Sequence, residues 1–80
     1  MTKYEQITEL RDTATLINQL EFKMQIIKDS LELLRKYNSH GENSDLITDG
    51  ALVLAEDEIQ MTKLKTVFDL LLSNIKPYHN

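Results

Sequence analysis

The side chains with the spacing of a metal site lie between Asp45 and Glu56. Asp45, Asp49, Gly50 and Glu56 stand at positions 1, 5, 6 and 12 of a calcium loop, where carboxylates wrap a hard cation around a sharp-turn glycine. Ile47 occupies position 3, which requires an oxygen ligand, and residues 51–56 read as continuous helix. Calcium is therefore not expected, and the acids instead complement the positive end of a helix dipole. Glu56-Asp57-Glu58 offers three carboxylates in a row, the raw material of a general acid and base pair. Consecutive helical residues point about 100° apart, so the three cannot converge on one substrate atom.

The remaining nucleophiles and ligands are scattered. His40 and His79 have no second histidine or acid at zinc spacing, and cysteine is absent, which excludes thiolate metal sites, disulfides and a cysteine nucleophile. Ser30, Ser39, Ser44 and Ser73 lack nucleophile-elbow glycines, and Gly41 and Gly50 are too far apart to form a phosphate loop. No catalytic residue, metal or cofactor is expected, so the chain is read as a non-enzyme. Lys23, Lys28, Arg35 and Lys36 form the densest basic set, but Glu21, Asp29 and Glu32 interleave with them at salt-bridge spacings. They read as a solvated face rather than a nucleic-acid surface.

The whole chain has 80 residues, one proline, two glycines and a formal charge of −4. That length holds one small domain. A hydrophobic share of 41% is too high for a disordered chain, and 20 residues are leucine or isoleucine, which points to helices. The mild acidity gives no footprint for nucleic acid or an anionic membrane. No apolar run reaches the ~20 residues of a membrane span, and Met1-Thr2-Lys3-Tyr4-Glu5 lacks a signal-peptide core, so a cytoplasmic protein is expected. Residues 38–50 carry Glu42, Asp45 and Asp49 with no opposing cation.

Two elements must position these groups. Thr2 and Glu5 have capping-box spacing, so helix 1 spans about residues 3–37, with a break near Asp12-Thr13 as the alternative. Its apolar seam runs through Ile7, Leu10, Ala14, Ile17, Leu20, Met24, Ile27, Leu31 and Leu34. These steps average just under 3.5, with one extra step of three at Leu20 that would overwind the seam. Polar residues 38–44 form the loop. Helix 2 covers about 45–76, starting at Ser44 or, after a turn through Asp49-Gly50, at Ala51. Its seam runs through Leu46, Val53, Leu54, Met61, Leu64, Phe68, Leu71 and Ile75, and Pro77 ends it before a tail at 77–80.

The fold class is all-α, an antiparallel hairpin of two long helices. With Tyr37 beside Thr48, Leu10 faces Ile75, Met24 faces Met61, Leu31 faces Leu54, and Lys28 pairs with Asp57 inside the seam. Phe22, Ile26, Leu33 and Tyr37 on helix 1, with Leu52, Ile59 and Leu70 on helix 2, fall off that seam and need cover. A chain this small without disulfide or metal gains stability by association, so two hairpins should dimerise into a four-helix bundle.

The expected function is a non-enzymatic regulator or adaptor acting by protein–protein binding, as a stoichiometric inhibitor or antagonist. Its partners are a second copy and a protein with a basic surface, met by the acidic edge Glu42, Asp45, Asp49, Glu56 and Glu58. The alternatives are a nucleic-acid-binding hairpin dimer using Lys23, Arg35 and Lys36, and a structural subunit of a larger assembly such as a phage particle.

Overall fold

The computed structural model describes residues 2–75. Helix α1 spans Lys3–Lys36 and helix α2 spans Ser44–Ile75, and the two pack side by side as a hairpin. The expected extension of α2 to Lys76, the Pro77 stop and His79 lie outside the described residues.

Helix α1 begins where the sequence places its cap. The Thr2 hydroxyl accepts the Glu5 backbone N–H at 3.1 Å, satisfying a donor that the first turn leaves open. No proline or glycine follows until Gly41, so the helix runs unbroken past Asp12-Thr13. It closes with Tyr37 donating its N–H to the Leu33 carbonyl at 3.1 Å. Arg35 and Lys36 in the last turn complement the negative end of the dipole.

The connection is short, and the Asn38 side chain makes two of the bonds that close it. The Asn38 carboxamide oxygen accepts the Asn43 N–H at 2.8 Å, while its nitrogen donates to the Ser44 hydroxyl at 3.4 Å. Gly41 adopts φ +77°, the left-handed conformation glycine reaches without strain, and its N–H bonds back to the Asn38 carbonyl. Asn43 then opens α2, its carbonyl accepting the Ile47 N–H at 3.0 Å. Of the two expected starts, Ser44 is the one adopted, and Asp49-Gly50 lies inside the helix rather than in a turn.

Gly50 has a packing role. A Cβ built there would lie 2.7 Å from Cδ2 of Leu31, the most deeply buried side chain described. An interior helical glycine costs about 1 kcal/mol relative to alanine, and here it lets the two backbones approach around Leu31.

Leu31 opposite Gly50 and Asn38 beside Asn43 set the register: facing residue numbers add to 81. The expected pairing of Tyr37 with Thr48 is thus shifted by about one turn, because the Asn38 bonds close the loop sooner than a relaxed loop would. Leu31 faces Gly50 instead of Leu54.

The seam also follows a more regular path than the apolar residues alone suggest. The less exposed positions on α2 are Ile47, Gly50, Leu54, Asp57, Met61, Leu64, Phe68, Leu71 and Ile75, alternating steps of three and four without interruption. On α1 the same alternation runs through Gln6, Leu10, Thr13, Ile17, Leu20, Met24, Ile27, Leu31 and Leu34. Thr13 completes this repeat, with half-buried Ala14 beside it, so the extra step at Leu20 disappears. Ile7, Leu46 and Val53, expected in the seam, are exposed.

Replacing Gly50 with valine should overpack the crossing and lower stability by about 1–3 kcal/mol. Part of that loss should vanish in a Leu31→Ala background, which removes the clashing methyls. Denaturant unfolding of the single and double variants measures the coupling, and additive losses would contradict the close approach.

Candidate functional site

The seam hides little. Met24, Leu31 and Met61 are the buried apolar side chains among the described residues, and none is completely enclosed. The seven residues expected to need cover, Phe22, Ile26, Leu33, Tyr37, Leu52, Ile59 and Leu70, are each at least half exposed, Phe22 at 71%.

The corrected register shows how they are distributed. The hairpin has two flanks, one on either side of the seam, and a shallow groove on each identifies its residues. One groove brings Lys28 and Arg35 of α1 against Ala51 and Glu58 of α2. The other brings Leu16 and Lys23 of α1 against Gln60 of α2.

Steps of seven along the second flank give Leu16, Lys23, Ser30 and Tyr37 on α1, with Leu46, Val53, Gln60 and Val67 on α2. The next rows outward hold Asp12, Gln19, Ile26 and Leu33 on α1 and Asp49, Glu56, Lys63 and Leu70 on α2, and Phe22, Leu52 and Ile59 lie on the helix backs, opposite the seam. Eight of the fourteen exposed large apolar residues among those described thus fall on this flank, while Tyr4, Ile7 and Leu72 fall on the other and Phe22, Leu52 and Ile59 on the backs of the helices. Leu16, Leu46, Val53 and Val67 belong to this surface and were not among the expected interface residues. The uninterrupted three-four repeat through Gly50 and Asp57 is the sequence signal that locates them.

Asp57 is the one buried charged residue among those described, at 8% exposure. Lys23 donates to its Oδ1 at 3.4 Å, while Oδ2 is buried with no hydrogen-bond partner. Asp57 thus occupies the seam as expected, but its cation is Lys23 rather than Lys28. The one-turn shift carries Lys28 past the carboxylate, onto the flank with Arg35 and Glu58. Lys23 reaches in from the apolar flank, its side chain 58% exposed.

The other candidate groups are dispersed. Glu42 accepts the His40 N–H at 2.9 Å within the loop, and Asp45 lies in the first turn of α2. Because α2 is continuous, Asp45 and Glu56 are separated by about 16 Å along the axis and cannot share a cation. Among the described residues no group of three or more acids and histidines could hold a metal ion. Glu56 and Glu58 point to different sides of α2, so the five acids form no single edge.

The basic set is divided as well. Lys23 pairs with Asp57, Lys28 and Arg35 lie on the opposite flank, and Lys36 sits over the Tyr37 ring at 5.7 Å. Ser30 and Ser73 hydroxyls donate to the Ile26 and Asp69 carbonyls of their own helices. No helix of the described residues is long and apolar enough to cross a membrane.

The Lys23–Asp57 geometry gives an ordered prediction. Replacing both partners, Lys23→Met with Asp57→Leu, should leave thermal stability unchanged or raise it, because no carboxylate is buried and no charge is left without its partner. Lys23→Met alone strands the Asp57 carboxylate and should cost about 1 kcal/mol, a modest figure because Lys23 is well solvated. Thermal melts that rank the double variant below Lys23→Met would contradict this reading.

Comparison with protein-family models, curated proteins and solved structures finds no match for this chain.

Proposed function

We propose that this chain is a non-enzymatic helical regulator or adaptor that acts by protein–protein binding, and that its working form is a homodimer in which two hairpins make a four-helix bundle. The observation that carries this reading is that eight of the fourteen exposed large apolar residues among those described, drawn from both helices, lie on one flank. A helix in a bundle uses its two seam positions plus a flanking position of each heptad, and the flanking row here is apolar at Leu16 and Tyr37 on α1 and at Leu46, Val53 and Val67 on α2. A hairpin working alone has no use for the third row.

Surface area supports the same conclusion. A compact chain of 9.3 kDa exposes about 5,000 Å², whereas this hairpin exposes 6250 Å². The excess, about 1,200 Å², exceeds the roughly 800 Å² that each partner gives to a standard stable interface. Glu42 in the loop and Asp45 on the back of α2 lie outside the apolar flank and, with no opposing cation within residues 38–50, suit a partner with a basic surface.

Light scattering coupled to size exclusion at micromolar concentration should return twice the chain mass. Replacing Ile26 and Leu33 with glutamate places charges in the covered face and should weaken association by at least tenfold while helicity at high concentration persists. A wild-type chain that elutes with the mass of one copy would overturn the proposal.

A further inference from the structure

The Lys23–Asp57 pair lies at the middle of the apolar flank. Along the helix axes, Tyr37 is about 21 Å from Lys23 toward the loop, and Leu70 is about 20 Å from Asp57 toward the open end. An isologous two-fold interface places the centre of a patch against itself. Any two-fold that covers this flank evenly therefore brings two copies of the pair together, whether the hairpins run parallel or antiparallel.

Each pair also has unused hydrogen-bonding capacity. An ammonium has three donors and a carboxylate has about four acceptor sites. Within the hairpin one bond at 3.4 Å links Lys23 to Oδ1. Oδ2 is covered by the hairpin itself, so Oδ1, the atom that the exposed Lys23 reaches from the flank, is the one with a further acceptor site on that side. Lys23 extends on the flank that would be covered, beside Leu16 and Gln60.

We infer that the two Lys23–Asp57 pairs meet at the dimer two-fold, with Lys23 of the partner subunit donating to the Asp57 Oδ1 that Lys23 of the same chain holds by one 3.4 Å bond. This rests on the dimer reading above. A reciprocal cluster of two cations and two carboxylates adds little net stability after desolvation. Its effect is to penalise displaced arrangements, in which a charge would face leucine or valine. The pair thereby selects a second copy of this chain over other apolar helices.

The test is a chain-mixing experiment read by native mass spectrometry. A Lys23→Met chain and an Asp57→Asn chain, distinguished by isotope label, are mixed and allowed to exchange. Each homodimer retains only like charges at the two-fold, whereas the heterodimer keeps one cross-chain lysine–carboxylate pair. The heterodimer share should rise from the statistical one-half to about three-quarters.

A charge-swapped chain carrying Lys23→Asp and Asp57→Lys keeps an ion pair within each hairpin. Mixed with wild type it should give a heterodimer share below one-half. This second arm remains informative if either single variant fails to fold. Statistical shares in dimers would overturn the cross-chain contact and leave the dimer standing. A monomeric wild-type chain would overturn both.

Discussion

Two helices in contact share a line, and a line hides one stripe of each. That geometric limit governs everything else about this protein. The hairpin is a rod of 62 × 19 × 15 Å with a radius of gyration of 18.1 Å, against about 12 Å for a compact domain of this length. Among the described residues three apolar side chains are buried, and large apolar residues such as Phe22 and Leu70 stay exposed. The flank holding Lys28, Arg35 and Glu58 carries fewer of them, Tyr4, Ile7 and Leu72 beside Glu21 and Lys65. The asymmetry between the flanks is the structural fact from which the dimer and its centre are argued.

Within the seam, uniqueness comes from a few unlike contacts rather than from a continuous apolar strip. Gly50 accepts Leu31 at the closest approach, Asn38 ties the start of α2 to the end of α1, and Asp57 needs a cation at its level. Each is sensitive to a shift of one turn. Leucine facing leucine is not, because a slip of seven residues restores a similar contact. The polar and small residues thus specify the register, while the aliphatic ones supply the burial.

Much of this was legible in the sequence, and the failures have specific physical causes. The Thr2 cap, the absence of helix breakers before Gly41 and the apolar periodicity dictate two long helices and a polar loop. The seven exposed residues follow from the same periodicity. Register was not legible, because it depends on how tightly Asn38 closes the loop, and side-chain bonds within a turn leave no periodic trace. Gly50 reads as a turn residue when only local propensity is considered, whereas its role depends on Leu31, nineteen positions away. Favouring apolar residues over spacing drew Leu46 and Val53 into the seam and left Gly50 out. That choice hid the grouping of much of the surplus on one flank and pointed Asp57 to Lys28 instead of Lys23.

Solution X-ray scattering tests most directly whether a second copy lies alongside the exposed flank, since forward intensity gives mass and the distance distribution gives length. The account predicts twice the 9.3 kDa chain mass with a longest dimension still near 62 Å, because the hairpins pack flank to flank. A single-chain mass, or a doubled mass with a particle close to twice as long, would contradict it.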